Sequence, residues 1–290
     1  MKKPILKVFI LSLLCLNLNI ILASLPVAVF HGIGDSCNLN PGMINFTNKF
    51  SKKLGVYAKC IETGGGPLDW VTSFKSQAEK ACNQIKTDEN FQGDFSVVGL
   101  SQGALLARYI IQSCDMKGRV KRYVSIGGPQ MGVGSFPQCT GGSFCNLVNK
   151  VVGSAVYFSL IQNHIGPAGY FKDISNYKSY VSYSSFLADL NNEKTEKNAS
   201  YKERFSGLEK VLLIKFSEDT MIIPKETAWF QFYDETRQVK DITESEFYKE
   251  DFIGFRKLSE DNKIVLDTIE GNHLQFSDED IDETIIPVLQ

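Results

Sequence analysis

Short apolar runs alternate along the chain with longer segments whose apolar residues recur every three or four positions. The short runs predict buried strands at 25–30, 56–62, 95–100, 120–126, 210–216 and 264–269. The longer segments predict helices at 43–54, 70–85, 102–114 and 280–289. Strands that are apolar on both faces and alternate with helices are typical of a parallel sheet covered by helices on both sides.

This alternation stops between residues 130 and 206, a segment rich in Gly, Tyr, Phe and Ser. We therefore expect an α/β fold in residues 25–290, with a mostly parallel central sheet flanked by helices and with 130–206 inserted as a helical cap. Within the cap, residues 146–161 carry apolar side chains at helical spacing. They predict a helix that either packs in the core or lines an apolar groove.

Residues 1–24 form a separate unit. A basic segment ending at Lys7 precedes the apolar stretch 8–22, and Ala23 and Ser24 are small enough for a cleavage site. This pattern predicts a secretory signal peptide, with an uncleaved signal anchor as the alternative. No later segment has the length and apolarity of a membrane span, so we expect one domain in the secretory pathway with no stable membrane span.

Composition and net charge indicate which partners and covalent modifications to expect. The formal net charge of −2 over 290 residues gives no reason to expect nucleic acid as a partner. Of the seven cysteines, six follow the signal peptide, which indicates disulfides, and Cys139 and Cys145 flank a glycine-rich loop that favours a local bridge. The sequence has no C-x-x-C pair, so we expect no metal. Asn45 and Asn198 begin sequences open to N-glycosylation.

The predicted strand and helix on either side of residue 101 carry the main chemical signal. Gly99-Leu-Ser101-Gln-Gly103 has the G-x-S-x-G pattern of a nucleophile elbow, whose sharp turn holds the serine in strained backbone. Its glycines let the strand and the helix pass closely, and the helix N-terminus favours developing negative charge. We predict that Ser101 is a catalytic nucleophile, the alternative being a tight structural turn.

A serine nucleophile needs a base, and the base needs an acid that orients it. In hydrolases with this elbow, the acid and then the histidine follow the serine along the chain. His31 precedes the serine and His164 lies in the predicted cap, so His273, after the last predicted strand, is the expected base. Two carboxylates follow the first strand after the cap. Asp219 is favoured as the acid, and Glu218 is the alternative.

Two backbone N–H groups must also bind the oxyanion of the tetrahedral intermediate. One is expected from Gln102, the residue directly after the nucleophile. The other is expected from Ile33 in the loop after the first strand, where flanking glycines let the main chain approach the substrate. Packing of this loop is the alternative role for His31 and for the Ile33 side chain.

Seven segments together carry a family resemblance: 31–37, 99–103, 125–128, 186–191, 198–202, 229–233 and 270–275. In this order they resemble the palmitoyl-protein thioesterases of the lysosomal type 1 kind, over nearly all of the chain after the signal peptide. The resemblance implies an α/β-hydrolase fold and hydrolysis of long-chain fatty acyl thioesters on protein cysteines, with no cofactor. It implies S-palmitoylated proteins and peptides as substrates, and the lysosome, or secretion, as the destination.

The resemblance also implies roles for individual residues. It assigns the triad to Ser101, Asp219 and His273, the oxyanion donors to Ile33 and Gln102, and a glycan to Asn198. It implies the bridges Cys82–Cys114 and Cys139–Cys145, which leaves Cys60 as the partner for Cys37. Two features depart from the family: it usually has adjacent cysteines at positions 37 and 38, and the loop after Gly128 has another form.

A palmitoyl chain needs a long apolar trough beside the triad. Its candidate wall residues are Val148, Val152 and Val156 in the cap, together with Phe186, Leu187 and Ile222. A secreted lipase or carboxylesterase that acts on oxyesters through the same residues is the alternative function. A catalytically silent lipid carrier on the same fold is a further one.

Overall fold

Six strands form one sheet in this computed structural model, which describes residues 24–135 and 154–290. They are β1 (Val27–Phe30), β2 (Ala58–Ile61), β3 (Asp94–Leu100), β4 (Arg119–Ile126), β5 (Lys210–Phe216) and β6 (Ile264–Ile269). All neighbouring strands are parallel, in the order β2-β1-β3-β4-β5-β6. The predicted parallel sheet is confirmed, although β1 and β2 begin later than their apolar runs.

Helices connect the strands and cover both faces of the sheet. They are α1 (Pro41–Leu54), α2 (Leu68–Val71), α3 (Phe74–Thr87), α4 (Gln102–Gln112), α5 (Ser159–His164), α6 (Tyr177–Tyr183), α7 (Leu187–Leu190), α8 (Ala199–Ser206), α9 (Glu246–Lys249) and α10 (Phe255–Glu260). After β6, a last helix runs through Asp278–Asp280, a π-helical segment Ile281–Ile285, and Ile286–Leu289. Short 3₁₀ segments are Glu89–Phe91, Ser154–Tyr157, Gly166–Tyr170, Ile174–Asn176, Lys225–Trp229 and Ile242–Glu244.

The single helix predicted at 70–85 is wrong, because two helices cover this stretch. Thr72 is extended, with φ −110° and ψ 132°, and it ends α2. The side chain of Ser73 then caps α3 by accepting the N–H of Ser76 at 3.2 Å. A serine that bonds its own downstream backbone favours a helix start over a helix interior, which explains the break.

Side chains of the central strands β1, β3, β4 and β5 enter two separate cores, one on each face of the sheet. On β1, Ala28 and Phe30 belong to the core shared with α3 and α4, whereas Val27 and Val29 belong to the core shared with α1 and the last helix. All four side chains are fully buried. Burial on both faces is the physical reason for the unbroken apolar runs in the sequence.

The inserted segment consists of short helices and 3₁₀ turns over its described residues, 130–135 and 154–206. Half of the helix predicted at 146–161 lies outside the described residues. Over the part that is described, the continuous helix is wrong, because Phe158 is extended, with φ −68° and ψ 137°, between Ser154–Tyr157 and α5. Leu160, expected on the apolar face, is 71% exposed.

A buried polar network fastens the inserted segment to α4. The guanidinium of Arg108 is fully buried and donates to the carbonyl of Gln130 at 3.0 Å and to the side-chain oxygen of Asn191. Asn191 in turn donates to Glu193, which pairs with Lys172 at 2.6 Å. Desolvation lowers the pKa of Arg108 to about 10, so it stays charged at neutral pH.

Two disulfides lie in the described part of the chain: Cys37–Cys60 and Cys82–Cys114. The first ties the loop after β1 to β2, and the second ties α3 to the end of α4. Cys139 and Cys145 lie outside the described residues. Asn45 on α1 and Asn198 before α8 are both exposed. Among residues 24–135 and 154–290, no helix is long and apolar enough to cross a membrane.

Candidate active site

Ser101 lies in the turn between β3 and α4, in the backbone conformation that the elbow pattern predicts. Its φ is 51° and its ψ is −122°. A Cβ on Gly99 would lie 2.4 Å from the Cα of Ala104, and a Cβ on Gly103 would lie 2.2 Å from the carbonyl oxygen of Phe30. Both positions therefore require glycine, because strand and helix cross too closely for any side chain.

His273 lies in the loop after the edge strand β6, at the same end of the parallel sheet as Ser101. Its Nε2 lies 2.9 Å from the Ser101 Oγ, and its Nδ1 lies 2.6 Å from the Asp219 Oδ2. The imidazole is 12% exposed and the carboxylate 3% exposed. Because the carboxylate accepts the Nδ1 proton, the Nε2 atom is left as an acceptor for the serine hydroxyl.

Asp219 is oriented by its own loop. Its Oδ1 accepts the backbone N–H groups of Met221 and Ile222, both at 2.9 Å, so that Oδ2 is turned toward the imidazole. Glu218, the alternative acid, is exposed. The geometry thus brings Asp219, and not Glu218, to His273.

Hydrogen bonds join the loop that carries the acid to the loop that carries the histidine. Thr220 donates its N–H and its hydroxyl to the side-chain oxygen of Asn272, each at 3.1 Å. The N–H of Glu218 donates to the carbonyl of Gly271 at 2.9 Å. The two loops therefore hold Asp219 and His273 in one fixed relation.

The loop 31–35 lies directly against the serine, and we call it the oxyanion loop. A Cβ on Gly32 would contact the Ser101 Cβ at 3.5 Å. Within the described part of the chain, no acceptor bonds the N–H of Ile33. Gln102 is the first residue of α4, where a backbone N–H has no partner within the helix. Both predicted oxyanion donors thus belong to segments that adjoin the nucleophile.

His31 packs this loop and does not reach the serine. It is 1% exposed, and its Nε2 lies 3.1 Å from the Glu62 Oε1. Burial raises the pKa of Glu62, but the hydroxyl of Ser36 and the charge of His31 outweigh it, and the pKa lies below its usual range. His164 is exposed and bonds the carbonyl of Leu160. Neither histidine belongs to the triad geometry.

Of the predicted acyl-binding residues, Val148 and Val152 lie outside the described residues. The side chains of Val156, Phe186, Leu187 and Ile222 are buried, with exposures of 0%, 4%, 0% and 7%. All four belong to the core on the α3–α4 face. Since Ile222 donates its backbone N–H to Asp219, this apolar core extends to the loop after β5 that carries Asp219, which we call the acid loop.

Three buried polar residues near the elbow were missed by the sequence reasoning: Asp69, Gln77 and Tyr170. Gln77 bonds the side chain of Gln102, and Tyr170 bonds the same side chain from the inserted segment. The sequence contains one signal that could have identified Gln77. It lies on the face of α3 that otherwise carries core residues such as Phe74, so a polar side chain is unexpected there.

A parallel sheet with the serine after β3, the acid after β5 and the histidine after β6 defines an α/β-hydrolase with a serine-histidine-aspartate triad. The family model described as palmitoyl protein thioesterase matches residues 26–273, and the chain belongs to this family. The resemblance seen in the sequence is confirmed, and the protein is a hydrolase of the thioesterase class.

Several relatives match along most of their length. The chain is 33% identical over 261 residues to palmitoyl-protein thioesterase 1 of Caenorhabditis elegans, covering 87% of each chain. It is 32% identical over 277 residues to palmitoyl-protein thioesterase 3 of Dictyostelium discoideum, covering 93% of this chain and 92% of the relative. It is 29% identical to the lysosomal thioesterase PPT2 homolog of Drosophila melanogaster, covering 90% and 89%.

Proposed function

We propose that the protein hydrolyses long-chain fatty acyl thioesters, palmitoyl above all, on cysteines of S-acylated proteins and peptides. The observation that carries the proposal is the hydrogen-bonded series from Ser101 through His273 to Asp219, with contacts of 2.9 and 2.6 Å. Family membership supplies the substrate class. The relatives named above support it, since the first two are named for palmitoyl-protein thioester cleavage.

The geometry gives each residue a step in the reaction. As the Ser101 Oγ attacks the thioester carbonyl, its proton passes to the Nε2 of His273, and Asp219 stabilises the imidazolium. The N–H groups of Ile33 and Gln102 bind the oxyanion. The C–S bond then breaks and His273 returns its proton to the leaving sulfur. Water, deprotonated by His273, attacks the acyl-serine, the C–O bond to Ser101 breaks, and His273 returns the proton to the Ser101 Oγ as the fatty acid leaves.

Thioesters suit this site because of their leaving group. A cysteine thiol has a pKa of about 8.5, whereas an aliphatic alcohol is a far weaker acid. A thiolate therefore leaves with less need of a proton from the imidazolium. Thioester cleavage thus places its main demand on the oxyanion donors and the nucleophile.

We further propose that the acyl chain packs against Val148, Val152, Val156, Phe186, Leu187 and Ile222. Support comes from the apolar core that four of them share and that extends to the acid loop. Val156, Phe186, Leu187 and Ile222 are buried in the structure. Their role in acyl binding stays a prediction.

We also propose that the protein enters the secretory pathway and reaches the lysosome. The N-terminal sequence pattern, the two disulfides and the exposed asparagines at 45 and 198 support this route. The Drosophila relative is named a lysosomal thioesterase.

Turnover of S-palmitoyl peptides tests the proposed function. Wild-type protein should cleave an S-palmitoyl cysteine peptide with a higher kcat/KM than the matched O-palmitoyl serine peptide. Ser101→Ala and His273→Ala should each lower kcat by about 10³-fold or more, with an unchanged melting temperature. Preference for the oxyester would support the lipase or carboxylesterase alternative. Acyl binding without turnover would support the silent carrier.

A further inference from the structure

Four buried polar side chains connect the two predicted oxyanion donors to each other. They are Asp69, Gln77, Gln102 and Tyr170, with exposures of 0%, 0%, 1% and 5%, and we call them the oxyanion brace. We infer that the brace sets the positions of the Ile33 and Gln102 N–H groups, and that Gln77 is a positioning residue at its centre. This inference rests on the proposed function of the triad.

The first arm of the brace holds the oxyanion loop. The Oδ2 of Asp69 accepts the N–H of Gly34 at 3.1 Å, and its Oδ1 accepts the N–H of Gly65 at 3.1 Å. Gly34 follows Ile33 directly, so fixing its N–H fixes the peptide plane next to the predicted donor. Asp69 thereby couples the loop to α2.

The second arm runs from α2 to the elbow. The Nε2 of Gln77 donates to the carbonyls of Asp69 and Thr72, at 2.8 and 2.9 Å. Since two carbonyls face it, that atom must be the amide nitrogen. The Oε1 of Gln77 therefore accepts the Nε2 of Gln102 at 3.0 Å, and the Oε1 of Gln102 accepts the hydroxyl of Tyr170 at 3.1 Å.

Packing leaves the brace little room to shift. A Cβ on Gly166 would lie 2.2 Å from the carbonyl oxygen of Asp69 and 3.0 Å from the Nε2 of Gln77. The inserted segment thus closes over the brace at a position that only glycine fits. Buried amides that lose their partners are costly, so the brace has one favourable arrangement.

Gln77→Met removes the hydrogen bonds at the centre of the brace while keeping an unbranched, buried side chain. Misplacing a reacting group by 1 Å can lower the rate about 10²-fold. Because the oxyanion is absent from the bound substrate and forms only in the transition states and the tetrahedral intermediate, kcat on a butyryl thioester should fall about 10- to 100-fold with little change in KM. Tyr170→Phe, which removes one outer bond, should lower kcat about 3- to 10-fold.

Gln162 offers a matched control, because its side chain bonds neither the triad nor any of the four brace residues. It is 2% exposed, its Nε2 donates to the carbonyls of Val156 and Ala168, and its Oε1 accepts the N–H of Ser185. Gln162→Met therefore loses the same kinds of bond as Gln77→Met. It should lower the melting temperature comparably, yet keep kcat on the butyryl thioester within about 3-fold of wild type.

A trifluoromethyl ketone with a butyl tail separates positioning from stability. The Ser101 Oγ bonds to its carbonyl carbon, the carbonyl oxygen becomes an oxyanion, and the proton passes to His273, so its Ki reports the oxyanion hole. In Gln77→Met and in Tyr170→Phe, Ki should rise by the same factor as kcat falls, whereas Kd for the uncleavable butyl thioether should not change.

An unchanged Ki in Gln77→Met, or a kcat equal to that of Gln162→Met, would overturn the inference. If Gln77→Met fails to fold, an unchanged kcat and Ki in Tyr170→Phe would overturn it equally. Failure of the proposed function would give a different result. The wild-type protein would then not cleave thioesters, or it would cleave them no faster than Ser101→Ala does.

Discussion

Asp219→Asn tests the triad most sharply, because the surrounding bonds dictate how the new side chain must sit. The backbone N–H groups of Met221 and Ile222 point at the Oδ1 of the present carboxylate. An asparagine must keep its oxygen there, so its NH₂ group faces the Nδ1 of His273. Since NH₂ only donates, Nδ1 must accept, and the imidazole proton moves to Nε2. In that tautomer Nε2 cannot take the proton of Ser101.

The expected loss in kcat is about 10⁴-fold, the effect of holding a catalytic histidine in the wrong tautomer. This corresponds to roughly 5 kcal/mol in the activation free energy. The fold should be little affected, because the variant keeps both backbone hydrogen bonds to its side-chain oxygen. Steady-state turnover of an S-palmitoyl peptide gives kcat, and thermal unfolding checks the fold.

Glu218→Gln is the matched control, since it makes the same chemical change at the exposed neighbouring carboxylate. Its kcat should stay within about 2-fold of wild type. The reasoning fails if Asp219→Asn keeps more than about a tenth of the wild-type kcat, or if the two variants lose activity equally.

Two further predictions concern stability. Gly103→Ala places a Cβ 2.2 Å from a backbone oxygen and should lower the free energy of unfolding in denaturant by about 2 kcal/mol or more. The exposed Gly93 has open space around its Cβ position, so Gly93→Ala should change that free energy by no more than about 0.5 kcal/mol. Equal effects of the two variants would contradict the close crossing at the elbow. Replacing Cys82 and Cys114 together by alanine opens a loop with a sequence separation of 32 and should cost about 3–4 kcal/mol, and no change in the unfolding midpoint would argue against the bridge.

The sequence predicts the central strands well because β1, β3, β4 and β5 are largely buried on both faces. β5 and β6 have the bounds that their apolar runs predict, since each run is flanked by polar residues. Ser101 and His273 could be singled out because a strained turn needs glycines and because chain order fixes where the histidine lies.

Other features could not be predicted, because they depend on contacts between distant segments. Strand alternation does not separate Asp219 from Glu218, which follow the same strand. The sequence favours Asp219, and it is the orientation of their loop that brings Asp219 to His273. Gln77 is a polar residue at a core position, and its partners come from α2 and the elbow. The continuous helix predicted through Phe158 is wrong, because the spacing of apolar residues cannot show that one residue between two helical segments has an extended backbone.

The hydrogen bonds between the loops of Asp219 and His273 have a consequence for how such enzymes diverge. A mutation that shifts one loop also shifts the other through Thr220 and Asn272, so the two loops form one module in which the acid and the histidine move together. Among the described residues, the hydrogen bond between Ser101 and His273 is the one that joins the oxyanion loop or the elbow to the loops of Asp219 and His273. A substitution in the oxyanion loop or the elbow can therefore alter the oxyanion donors while the hydrogen bonds between the loops of Asp219 and His273 stay in place.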